Sequence, residues 1–96
     1  VTANDRNLME SMLPTIKRAA GEQNVVEMPK ITGAEDFSFY ALEIPSVFMF
    51  LGATPKGTDL STVPSNHSPL VVFEESAFKV GTATLSNMAW DYLKAN

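Results

Sequence analysis

Asn66-His67-Ser68-Pro69 holds the only histidine among the 96 residues. Its imidazole sits between small polar residues and is followed by Pro69. Proline fixes φ at about −65° and removes a backbone donor. It also biases Ser68 toward extended backbone, so the segment reads as a stiff strut presenting its side chains reproducibly. A neutral imidazole held that way suits a metal ligand or a proton-transfer group. The same residues also describe a surface histidine without a role. A second cluster, Glu35-Asp36, follows Gly33 and precedes Phe37 and Tyr40. Two carboxylates there could join a histidine around Zn²⁺ or Mn²⁺, or could simply complement a helix N-terminus. Gly52, ending an apolar run, would let backbone approach a ligand closely. A catalytic zinc needs three protein ligands, so these residues make at most part of a site.

The elements that would position them are read from periodicity. Leu8, Met12, Leu13, Ile16 and Ala20 recur at helical spacing after a cap at Asn4 or Asp5, and Gly21 ends that helix. Pro14 predicts a kink or break near Ser11–Leu13. Asn24–Met28 reads as a short strand ended by Pro29, and the Gly33–Tyr40 stretch as a short helix ended by Pro45. Ser46–Leu51 is a continuous apolar run between Pro45 and Gly52, the pattern of a central strand covered on both faces. Gly52–Ser65 is loop. Glu74-Glu75-Ser76 opens a C-terminal helix along Ala77, Gly81, Leu85, Met88, Ala89, Tyr92 and Leu93, where Gly81 would permit close packing. The expected order is helix, strand, short helix, strand, loop, helix: an α/β arrangement whose sheet is incomplete and whose other strands lie elsewhere.

Composition narrows the function classes. There are 7 basic and 11 acidic residues, for a net charge of −4. That balance argues against a nucleic-acid or anionic-membrane surface. There is no cysteine, hence no disulfide and no thiolate metal site. No apolar run approaches the roughly 18 residues that span a bilayer. Opening on Val1 without a signal-peptide pattern suggests a chain cut from something longer, so any targeting signal would precede it and the compartment stays open.

Taken together, Gly33-Ala34-Glu35-Asp36-Phe37-Ser38-Phe39-Tyr40, Val47-Phe48-Met49-Phe50-Leu51-Gly52, Asn66-His67-Ser68-Pro69 and Phe73-Glu74-Glu75-Ser76-Ala77 closely resemble the C-terminal part of the M20 metallopeptidase family. They are most similar to its amidohydrolase, aminoacylase and hippuricase branch, which includes auxin-conjugate hydrolases. Val1–Asp5, with Leu8 and Pro14, resembles the point where that family's chain leaves an inserted lid domain and re-enters the catalytic domain. The resemblance implies a zinc-exopeptidase-like catalytic domain of which residues 1–96 form the C-terminal portion, with the inserted lid and dimerisation domain outside them. It implies hydrolysis of N-acyl amino acids or short peptides with one or two divalent ions (Zn, Mn, Co or Ni), and allows a homodimer. By the same resemblance His67 is a metal ligand, while Glu35, Asp36, Gly52 and Asn66 border metal or substrate. The family's other ligands and its general-base glutamate have no counterpart here, so none of these residues is catalytic and the chain alone is expected to be inactive. The competing expectation is a freestanding binding or dimerisation module without catalysis.

Overall fold

The computed structural model describes all residues from Val1 to Asn96. Asp5 opens the first helix, α1 (Arg6–Ala20), by accepting the Leu8 N–H at 2.8 Å. That bond satisfies one of the orphan donors of the first turn. Lys17 and Arg18 lie in the last turn, where their charge complements the helix dipole. Gly21, at φ 87°, turns the chain out of the helix into a short 3₁₀ turn over Glu22–Asn24. Glycine adopts that positive φ without steric cost. Pro14 does not break α1. Proline frees the Glu10 carbonyl one turn back. Glu10 is exposed and Pro14 lies at the surface of the same face, so water can take the place of the lost donor.

A second helix, α2, spans Phe37–Glu43 and ends at Ile44, before Pro45. The long C-terminal helix, α3, spans Ser76–Ala95. At its start Glu74 accepts both the backbone N–H and the hydroxyl of Ser76, at 3.3 and 2.9 Å. α1 lies against α3. Met12, Thr15 and Ile16 are buried on α1 and Thr84 on α3, and Ser46 is the only other buried residue of the chain. Across the seam the Asp91 carboxylate accepts from the Thr15 hydroxyl and from the Arg18 guanidinium, both at 2.6 Å.

The α/β expectation is not met: the structure is helical and contains no β-strand, so there is no incomplete sheet either. Residues 25–28 leave the 3₁₀ turn as irregular chain, with Val26 76% exposed. The run from Ser46 to Leu51 is not a ladder strand because a strand exists only where a second backbone pairs with it. Its one backbone–backbone hydrogen bond runs from the Asp5 N–H to the Ser46 carbonyl, at 2.9 Å. Nor is it covered on both faces: Val47, Phe48 and Met49 are half-buried, while Phe50 is 63% exposed. The hydrophobic run was legible; the partner that would make it a strand is absent.

The chain carries too little core for its mass. Its accessible surface is 8057 Å². A folded monomer of its 10.5 kDa mass exposes about 5400 Å². Its radius of gyration is 14.8 Å. A compact chain of this length has a radius of roughly 12.5 Å.

Candidate functional site

His67 stands in a pair of tandem turns. The Ser65 carbonyl accepts the Ser68 N–H at 2.8 Å, which places His67 third in a four-residue turn. The Ser68 carbonyl accepts the Val71 N–H at 3.2 Å in the next turn. Pro69 takes the position in that turn where its fixed φ is favoured. Side chains reinforce both. Ser65 Oγ accepts the His67 N–H at 3.2 Å, and Ser68 Oγ accepts the Leu70 N–H at 3.1 Å. Four hydrogen bonds thus brace the segment expected to be stiff. Ser65 Oγ also donates to Asn66 Oδ1 at 3.3 Å, holding that amide beside the histidine. The His67 ring itself is exposed and makes no hydrogen bond, so both nitrogens are free for a ligand.

The long loop carrying these turns is closed at its base, where the Glu74 N–H donates to the Ala53 carbonyl at 2.7 Å. Earlier in the loop Asp59 accepts from the backbone N–H and the hydroxyl of Ser61, at 2.9 and 2.7 Å. The hydroxyl bond first, and then the backbone bond, hold the Asp59 carboxyl below its ordinary range, because both favour the charged form. Gly57, at φ 81°, makes a turn there that a side chain would strain. Gly52 has open space where a Cβ would stand, so the fold leaves that backbone approachable.

Glu35 and Asp36 precede α2. Asp36 occupies the cap position without a side-chain cap bond, and Glu35 Oε1 instead accepts the Phe37 N–H at 3.2 Å. Capping therefore occupies one oxygen of Glu35 and leaves the exposed Asp36 carboxylate unused. Aromatic contacts connect this turn with the extended run. Phe37 meets Phe48 at 5.3 Å between ring centroids, and Phe48 meets Phe50 edge-on at 5.3 Å. Both separations lie within the range of favourable ring pairs. No three His, Cys, Asp or Glu side chains come together to hold a metal ion. An exposed, unbonded imidazole on a braced turn fits one ligand position of such a site, and the residues of this chain do not fit a whole one. Two clefts, of about 240 and 470 Å³, lie beside the N-terminal segment, and none of His67, Asn66, Gly52, Glu35 or Asp36 lines either.

The residue that sequence reading missed is Asn4, which entered only as an alternative cap. With Asp5 doing the capping, the Asn4 amide faces the extended run. Its Nδ2 donates to the Phe48 carbonyl at 3.0 Å, and its Oδ1 accepts the Phe48 N–H at 2.7 Å. One side chain thus takes both backbone groups of one residue, as a neighbouring strand would. The only signal for it was a second Asx residue beside the cap.

A braced histidine turn, an acidic helix entry and an aromatic run between them are the features this chain contributes. The chain belongs to peptidase family M20/M25/M40, whose model matches residues 1–91. Among curated relatives, it is 32% identical over 93 residues to IAA-amino acid hydrolase ILR1-like 2 of Arabidopsis thaliana, covering 97% of this chain and 20% of that protein. It is 36% identical over 92 residues to ILR1-like 4 of the same plant, covering 96% of this chain and 20% of that protein. It is 36% identical over 73 residues to ILR1-like 6, again of Arabidopsis, covering 76% of this chain and 15% of that protein. The chain therefore spans about a fifth or less of the length of these relatives. No solved structure matches it.

Proposed function

We propose that residues 1–96 are the C-terminal portion of the catalytic domain of a metal-dependent amidohydrolase acting on N-acyl amino acids or short peptides. The observation that carries this is the match of nearly the whole chain to a fifth of hydrolases whose names specify an amino-acid conjugate. The surface excess is consistent with it: the chain exposes about 2600 Å² more than a folded monomer of its mass. Interfaces of that size per side lie at the upper end of obligate contacts, which favours cover from a larger chain over one docking partner.

In this reading His67 holds one corner of a divalent ion, with the remaining donors supplied by polypeptide outside these residues. When bound, the ion polarises an amide carbonyl and lowers the pKa of water. Within this chain Ser65 and Pro69 hold the imidazole's backbone still, Asn66 stands next to it, and Gly52 leaves room for substrate backbone. Asp36 and the free oxygen of Glu35 border the metal or substrate.

The test uses the full-length protein that carries these residues. With Zn²⁺, Mn²⁺ or Co²⁺ added, it hydrolyses N-acyl amino acids, and His67→Ala lowers both metal content and turnover, the latter by about a hundredfold or more. The isolated 96 residues turn over nothing. Turnover by the isolated chain, or a full-length protein that cleaves no amide, overturns the reading.

A further inference from the structure

We infer that Asn4 is a positioning residue for the His67 loop, resting on the proposed amidohydrolase reading. The Asn4 amide closes a ring with both backbone groups of Phe48, at 3.0 and 2.7 Å. The neighbouring Asp5 N–H donates to the Ser46 carbonyl at 2.9 Å. In extended chain, residues two apart present their backbone groups to the same edge. Ser46 and Phe48 therefore face the entry of α1 together, and Asp5 is anchored there because it also caps that helix at Leu8. A slip of one residue would turn these groups to the opposite edge and leave the Asn4 amide without either partner. Asn4 thus fixes the register of the extended run against α1.

That register is passed on in two directions. Toward α2, the Phe48 ring packs on Phe37, directly after Glu35 and Asp36, and the Thr2 hydroxyl reaches the Glu35 carbonyl at 3.5 Å. Toward the loop, the run continues through Gly52 to Ala53, whose carbonyl receives the Glu74 N–H at 2.7 Å and closes the base beneath His67. One amide thus sets the placement of both segments that carry the candidate site residues, while touching neither His67 nor either carboxylate. Register error at such a strut displaces a ligand by ångströms, and misplacement of about 1 Å can cost about a hundredfold in rate.

The experiment is made in the full-length hydrolase, with three variants. Asn4→Leu removes both bonds at similar volume. Asn4→Asp keeps the acceptor for the Phe48 N–H and loses the donor. Met12→Ala, at a buried position of α1, weakens the fold without touching the clamp. The expected result is that Asn4→Leu lowers kcat about tenfold or more with KM within about twofold. Amide exchange at Phe48 and Glu74 then accelerates about tenfold, and Asn4→Asp falls between Asn4→Leu and wild type. Met12→Ala, at an equal or larger drop in Tm, leaves kcat within about twofold and accelerates exchange across the α1–α3 seam instead. Asn4→Leu with wild-type kcat, or a Met12→Ala enzyme that loses as much kcat for the same Tm drop, overturns the assignment while the hydrolase reading stands. A wild-type protein that hydrolyses no amide removes the hydrolase reading itself, and the assignment with it.

Discussion

Produced without further polypeptide, residues 1–96 are expected to show no cooperative unfolding transition. The surface comparison sets the scale. The chain exposes about 2600 Å² beyond a folded monomer of its mass, and roughly 55–60% of protein surface is apolar. At about 25 cal/mol per Å², the missing apolar burial corresponds to ~35 kcal/mol of hydrophobic stabilisation. The net stability of a domain is only about 5–15 kcal/mol, so even half of that deficit removes it. Both areas describe folded chains, so the comparison does not depend on how the unfolded state is represented. The assay is circular dichroism during heating and urea titration, with sedimentation equilibrium to fix the oligomeric state. Helical signal that declines gradually is expected, together with little near-ultraviolet signal from the exposed Trp90. Ile16 is only 4% exposed. In the full-length protein Ile16→Ala lowers stability by about 2–5 kcal/mol. In the isolated chain it leaves the melt gradual, because no cooperative core remains to weaken. A monomeric isolated chain that unfolds sharply with about 5 kcal/mol or more would refute the reasoning.

Two further predictions concern α3 in the full-length protein. Gly81→Ala gains about 1 kcal/mol of helix propensity, but its Cβ would stand 2.7 Å from Leu51 Cδ2. Leu51 is half exposed and can rotate at a cost of about 0.5–1.5 kcal/mol, so the single variant is close to neutral. In a Leu51→Ala background the same change stabilises by about 1 kcal/mol, and equal effects in both backgrounds would disprove the contact. The Arg18 hydrogen bond, and then the Thr15 bond, hold the Asp91 carboxyl below its ordinary range, since each favours the charged form. A carboxyl depressed on folding stabilises above its unfolded pKa of about 3.9, and that contribution disappears as pH falls through the folded value. Thermal melts of Asp91→Asn should therefore depend less on pH below about 4 than wild type, and parallel profiles would remove Asp91 from the acid transition.

Local signals were readable in the residues and distant partners were not. The Asp5 cap, the Gly21 stop and the Ser76 entry each follow from chemistry within a few positions, and the structure has all three, with hydrogen-bonded turns around Pro69. Ser46–Leu51 failed as a strand because hydrophobicity reports a wish for cover, whereas a strand needs a second backbone. Likewise the Asp91 lock and the Asn4 clamp join residues far apart in sequence, and no spacing rule anticipates either. For His67 the sequence supplied the ligand type and the turn supplied its bracing. The rest of a metal cage could be read from neither, since no further donors converge there.

The faces of α3 make the same point from packing. The row of α3 that holds buried Thr84 and the Asp91 bonded to α1 also carries Ala77, Gly81 and a half-buried Met88, mostly small or polar residues. The opposite exposure falls on Phe78, Leu85, Trp90 and Leu93, the last two 69% and 73% exposed. Burial of a large apolar side chain is worth about 1.5–3 kcal/mol, several times what a small one contributes, so most of this helix's hydrophobic energy lies on the side that α1 does not cover. The small side then has a different role. It lets α3 approach α1 closely enough for Asp91 to reach Thr15 and Arg18, and brings Gly81 against Leu51. In the proposed reading, a helix arranged this way is registered by α1 and stabilised by polypeptide outside these residues. That division favours a larger family domain around residues 1–96, in which α1, the Asn4 clamp and the base of the histidine loop set geometry while the outward apolar face supplies the binding energy.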